Sequence, residues 1–229
     1  MAWYGITLVS EGVTDVGSLN TPAAEWHSTQ DGFLQNTLAR CVPAHDLHFS
    51  DGVGAVLDVD LDLGLGIAGA LEAKAARAGA LAKCYYGSHV VVFVVDADND
   101  AAVEHTRLEP IQRGLERGVN SGNGPGVIAI GAIAHNTIEA WVLADESALA
   151  VVAGPRLQGP PPPYPERLWG APHDPTSNHP KQVLKRRLSG DLARDDYAAV
   201  GEHLDPDVVA FKCPIGFEPL LTQIRAACP

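Results

Sequence analysis

No stretch of this 229-residue chain stays apolar for the roughly 18 residues that a membrane-spanning helix requires. The opening residues Met1-Ala2-Trp3-Tyr4 carry no basic cluster and no apolar signal core, so the expectation is a cytosolic protein with no membrane partner. Cysteine is scarce and scattered. Cys41, Cys84, Cys213 and Cys228 form no C-x-x-C pair, which argues against a zinc ribbon or a dithiol redox motif. These cysteines are expected to be reduced and mostly buried. Positive charge is also thin. The 16 Lys and Arg residues face 28 Asp and Glu, for a formal net charge of −12. That balance argues against a broad surface coating nucleic acid. It still allows a local pocket in which cations neutralise gathered carboxylates.

What the chain does have is a core. Apolar residues make up 46% of it, enough for a folded unit without a disulfide or metal staple. Residues 6–9 (ITLV) predict a buried first strand that ends at Ser10-Glu11-Gly12. Thr14 could cap a helix, and helical character returns over 31–40. Residues 56–63 (VLDVDLDL) alternate with period two and predict an edge strand with Asp58, Asp60 and Asp62 on one solvated face. The alanine-rich residues 67–84 predict a helix. Residues 90–95 (VVVFVV) predict a central parallel strand covered on both faces, ending at Asp96. A helix over 101–117, a glycine- and asparagine-rich loop over 118–126, a strand over 127–134 and a helix over 137–152 complete the alternation. The class is therefore α/β with a mostly parallel sheet.

Residues 154–180 break that order. Nine prolines, Pro160 to Pro163 among them, exclude a regular helix or a central strand, so an extended loop or arm is expected. Helices resume over 181–188 and from Asp195 onward. The organisation expected is an α/β core (1–153), a proline-rich arm (154–180) and a helical C-terminal appendage (181–229). No internal repeat is found.

Ligands of open α/β sheets bind at the C-terminal ends of the strands. Three strand ends here carry acids. Glu11 follows the first strand, with Asp15 four residues on. Asp96, Asp98 and Asp100 follow the valine strand. Glu139 opens the helix after the last strand. Carboxylates gathered at one end of a sheet must take up protons or bind a cation. Oxygen-only donors select a hard ion, Mg²⁺ or Mn²⁺. The competing reading makes these acids helix caps and favourable charges at helix N-termini.

Three segments together resemble the TOPRIM family. ITLVSEGVTD (6–15) is similar to its first motif and VVFVVDADND (91–100) to its second, a strand ending in D-x-D. HNTIEAWVLAD (135–145), NHPKQVLKRRL (178–188) and CPIGF (213–217) resemble segments of small bacterial TOPRIM-like proteins related to the overcoming-lysogenization-defect (OLD) nucleases. The resemblance implies a TOPRIM-like, Rossmann-like fold and metal-dependent phosphoryl transfer on nucleic acid, in bacterial defence beside an ATPase partner protein. It implies that Glu11 and Asp15 hold one ion, and that Asp96 and Asp98, helped by Glu139, hold another. Asp15 stands where a glutamate is commoner. Lys181 is the candidate cation for the transition state. Lys185, Arg186 and Arg187 are either contacts to a phosphate backbone or a solvated helix face. His135 could orient water or substrate. Whether the chain pairs as a homodimer stays open.

Two other readings remain at this stage. VVFVVDADND also resembles the opening motif of haloacid-dehalogenase-like phosphatases. There Asp96 would be the nucleophile, Asp98 the acid, and Asp195-Asp196 the late acid pair. A non-enzymatic TOPRIM-like scaffold, binding a partner through its arm and helical tail, is the other.

Overall fold

A computed structural model describes residues 2–10, 32–50, 69–97, 102–121 and 125–229. Their elements run β1 (Trp3–Val9), α1 (Phe33–Cys41), β2 (Asp46–Phe49), α2 (Ala70–Leu81), β3 (Val90–Asp96), α3 (Glu109–Asn120) and β4 (Ile128–Ala134). Then follow α4 (Glu139–Ala144), α5 (Glu146–Ala153), α6 (Pro180–Leu188), α7 (Arg194–His203), α8 (Pro206–Lys212) and α9 (Phe217–Ala227). Short π-helical turns extend α2 over Ala82–Tyr86 and precede α3 over Glu104–Leu108.

The described strands form one sheet in the order β2-β1-β3-β4, and every pairing is parallel. The valine strand occupies an interior position, as its unbroken apolar run demands. Period two divides it cleanly. Val90, Val92 and Val94 face one core, while Val91, Phe93 and Val95 face the other. Each of these side chains contributes roughly 1.5–3 kcal/mol by leaving water.

The second face is covered by α2 and α3. Ala75, Ala78, Ile111 and Leu115 pack there against Val9 and Phe93. The helices approach so closely that a Cβ on Gly114 or Gly118 would collide with the backbone carbonyls of Glu72 and Ala76. Small residues at the crossing, not large interdigitating ones, hold this layer together.

The first face carries everything else. Leu34 and Leu38 of α1 share one core with Trp141 and Leu143 of α4, Leu184 of α6, Val200 of α7 and Phe217 and Ile224 of α9. The C-terminal helices thus bury their apolar sides against the same strands as the earlier ones.

Two local expectations need correction. The helix expected over 137–152 is two helices, because Asp145 ends α4 and caps α5, its Oδ1 accepting from the Ser147 and Ala148 N–H groups. Strand β2 was not foreseen. It is only four residues long and carries Asp46 and His48. The expected helix at Thr14 and the acidic strand over 56–63 lie outside the described residues. All four cysteines are free thiols, and Cys41, Cys213 and Cys228 are buried. Burial pushes the Cys41 thiol up to about 12, beyond the range of a nucleophile at neutral pH. None of the described helices is long and apolar enough to cross a membrane.

Candidate functional site at the C-terminal end of the sheet

Strand order fixes where a ligand belongs. From β1 the chain passes to β2 on one side, then crosses back to β3 on the other. Such a reversal opens a crevice at the C-terminal ends of the two neighbouring strands. The last paired residues there are Val9 of β1 and Phe93 of β3. Glu11 follows β1 by two positions in sequence, and Asp96 is the final residue of β3.

Asp96 is fixed on two sides. Its Oδ1 accepts from the Ile138 N–H at 3.2 Å, and its carbonyl accepts from Arg107 Nη1 at 2.6 Å. The acid at the end of β3 is therefore tied to the turn that follows β4. That turn is bent by Asn136, which sits at φ 70°. Asparagine is among the few non-glycine residues that adopt this left-handed geometry readily. The Asn136 amide locks it by donating to the carbonyls of Glu166 at 3.1 Å and Leu168 at 2.6 Å.

This turn holds a concentration of buried polar atoms without a hydrogen-bond partner among the described residues: His135 Nδ1, Asn136 Oδ1, Thr137 Oγ1 and Glu139 Oε2. Each costs about 1–3 kcal/mol if left unmatched, and native interiors match nearly all such groups. Their clustering in five consecutive residues marks a place shaped for something besides packing.

Glu139 is the clearest case. The residue is 8% exposed. Its Oε1 accepts from the Tyr197 hydroxyl at 3.2 Å, while Oε2 accepts from no described group. Glu139 lines a cleft of about 190 Å³ with Lys181, Gln182, Lys185, Asp191 and Tyr197. Lys181 thus shares a cleft with Glu139, although the two lie far apart in sequence. Lys181 is exposed and forms no ion pair among the described residues.

Helix α6 is set by its own N-terminus. His179 Nδ1 accepts from the Lys181 N–H at 3.3 Å, and Pro180 takes the first turn, where a missing N–H does no harm. In the basic run after Lys181, Lys185 and Arg186 are exposed and Arg187 is buried, and all three are engaged within the protein. Arg186 donates to the carbonyls of Pro175 at 2.6 Å and Ser177 at 2.7 Å. Arg187 is 6% exposed and donates to the carbonyls of Gln158 and Gly159 and to Glu146. Lys185 pairs with Asp191 at 2.9 Å. The two arginines fasten the proline-rich segment to the body, so Lys181 is held at the cleft by a pinned arm.

A second buried acid was missed by the sequence reading. Glu166, in the arm, is 2% exposed. Its Oε1 accepts from Trp141 Nε1 at 3.2 Å and from the Gly216 N–H at 2.9 Å. Its Oε2 accepts from the Ile215 N–H at 2.8 Å. Burial outweighs these donors and raises its pKa above the usual carboxylate value. The C-P-I-G-F segment is thus the socket for Glu166. A lone acid amid prolines and aromatics, in P-Y-P-E-R-L-W, was the available signal.

Of the sequence-derived acids, Asp96 and Glu139 meet the same turn, since the carboxylate of Asp96 accepts from the Ile138 N–H immediately before Glu139. Glu11, Asp15 and Asp98 lie outside the described residues. Among the described residues no three His, Cys, Asp or Glu side chains form a group that could hold a metal ion. His135 lines a different groove, of about 310 Å³, beside Ile133, Ile215 and Leu220. Asp195 and Asp196 lie in the first turn of α7, where Asp196 accepts from the Ala193 N–H at 3.1 Å. A helix start is not the strand end that a dehalogenase-type late acid pair requires. No protein-family model matches the chain, and no match is found among curated proteins or solved structures.

Proposed function

We propose that this chain performs divalent-metal-dependent phosphoryl transfer at the C-terminal end of its sheet, as a TOPRIM-like protein of the OLD nuclease type. Phosphodiester hydrolysis on nucleic acid is the reaction this reading favours. One observation carries it: Glu139, whose buried Oε2 has no partner among the described residues, lines a cleft with Lys181 and directly follows the amide that donates to Asp96.

Asp96 and Glu139 offer oxygen donors of the kind a hard cation takes, two of the donors such a site needs. A carboxylate oxygen left bare in a buried setting is a strong attractor for positive charge, and the neighbouring strand-end acid adds a second oxygen donor. Asp96 and Glu139 would hold the ion. Glu11, Asp15 and Asp98, close behind the strand ends in sequence, would complete the set for one or two ions. A bound Mg²⁺ or Mn²⁺ supplies Lewis-acid stabilisation of the charge that builds on the phosphoryl oxygens.

The chain's own groups do the positioning. The Ile138 N–H and Arg107 hold Asp96 by its side chain and its carbonyl. Tyr197 holds Glu139 by one oxygen and leaves the other free. Lys181, with no ion pair among the described residues, would present its ammonium to a phosphoryl oxygen in the cleft. The test is cleavage of a plasmid or labelled oligonucleotide with Mn²⁺, using Asp96→Ala as control, alone and with any co-purifying ATPase. Metal-dependent cleavage that the variant lacks is expected. Equal cleavage by both proteins, or none by wild type in either setting, counts against the proposal.

A further inference from the structure

The acidic chain has 16 Lys and Arg residues, and all of them lie among the described residues, so every cation can be followed to its partner. Nearly all are committed within the protein. Arg40, Lys83, Arg107, Arg186 and Lys212 donate to backbone carbonyls. Arg113 and Arg117 both pair with Glu72. Arg156, Lys185, Arg187 and Arg225 pair with Asp196, Asp191, Glu146 and Asp207. Arg167 lies over the Tyr164 ring at 4.7 Å, and Arg77 is engaged as well. Among the described residues only Lys74, Lys181 and Arg194 lack such a partner. Lys74 sits on α2, across the sheet from the cleft. Arg194 starts α7, with Nη2 buried and no hydrogen-bond acceptor. Of these three, Lys181 alone lines the cleft.

A protein that grips a nucleic-acid duplex neutralises many phosphates at once, and each neutralised phosphate steepens the salt dependence. Among the described residues the cleft has one ammonium without an ion pair, Lys181, beside Lys185 paired to Asp191, and the net charge of −12 repels a polyanion at long range. Resting on the phosphoryl-transfer reading above, we infer that the cleft addresses one phosphoryl group at a time, at Lys181, as in the phosphorylated end of a single strand or a mononucleotide. On its own the chain does not grip the internal phosphates of a duplex. The cleft is small, about 190 Å³ against roughly 300–1,000 Å³ for pockets that enclose a whole small molecule, which leaves room for one phosphoryl group. Where a longer nucleic acid is engaged, the grip must come from another chain.

Three probes distinguish the sources, each with Mn²⁺ present and titrated with salt: a mononucleotide, a short 5′-phosphorylated single strand, and a 30-base-pair duplex. Mn²⁺ uptake by the protein is followed separately by electron paramagnetic resonance. The mononucleotide and the single strand should bind within about threefold of each other. The slope of log K against log salt should be about −1 or shallower. Lys181→Ala should weaken both by about tenfold, and Lys74→Ala should leave both unchanged. Single-strand binding much tighter than mononucleotide binding, at the same shallow slope, identifies a strand end as the source. Duplex binding at a slope of −5 or steeper, with Mn²⁺ bound, overturns the single-phosphate inference and leaves the metal reading in place. No Mn²⁺ uptake overturns that reading. Failure of all three probes, or indifference to Lys181→Ala, overturns the inference.

Discussion

Two buried glutamates on the same side of the sheet are treated in opposite ways. Glu166, in the proline-rich arm, receives three N–H donors on its two oxygens. Glu139, in the turn after β4, receives one hydroxyl on one oxygen and nothing described on the other. The first has every mark of a structural pin, because its bonds join the arm to α4 and to the start of α9. The second has the mark of a site, because an unmatched carboxylate is expensive and persists where something else makes use of it.

Truncation should separate them most sharply. Glu166→Ala strands three donors in a buried setting and should cost about 4 kcal/mol of stability, read as a lowered urea midpoint. Glu139→Gln keeps an acceptor for Tyr197 and removes an unmatched charge. It should change unfolding free energy by less than about 1 kcal/mol. The same substitution should lower metal-dependent activity at least about a hundredfold. If the two variants lose stability alike, the contrast fails.

Smaller effects sharpen the same contrast. Tyr197→Phe removes the one donor on Glu139 and should cost about 1 kcal/mol, with a several-fold loss of activity and no change in fold by circular dichroism. The pH dependence should divide by region too. Burial works against ionisation of Asp145, but donors from Ser147, Asp205 and Ala148 outweigh it and lower its pKa. Its contribution is full above the ordinary carboxylate value and is lost as pH falls through the lowered one. Glu166 has the opposite sign. Its raised pKa means that the folded state holds the proton more tightly, so stability declines as pH rises through that raised value. Urea midpoints across pH for Asp145→Asn and Glu166→Gln should each flatten one of these slopes and leave the other.

The parallel sheet was legible because its signal is local. Six consecutive apolar residues, Val90 through Val95, leave few alternatives to a strand covered on both faces. Asp96 at the end of β3 was legible for the same reason, since it directly follows such a run. The break at Asp145 was hidden because the helix formers around it continue one pattern, and its second partner is the Asp205 N–H, 60 positions away. The role of Glu166 was hidden because its donors lie 25, 49 and 50 residues away along the chain. The internal partners of the run at 185–187 were hidden for a related reason. Arginines that bind backbone carbonyls of a proline-rich segment have the same sequence signature as arginines waiting for phosphate.

The account turns on whether the bare oxygen of Glu139 and the carboxylate of Asp96 serve one cation. Titrating Mn²⁺ into the wild type and into the Asp96→Asn, Glu139→Gln double variant, followed by electron paramagnetic resonance, asks this directly. Saturable binding by the wild type, with loss of at least one site in an equally stable double variant, is the expected result. Identical binding by the two proteins, or none by either, would contradict it.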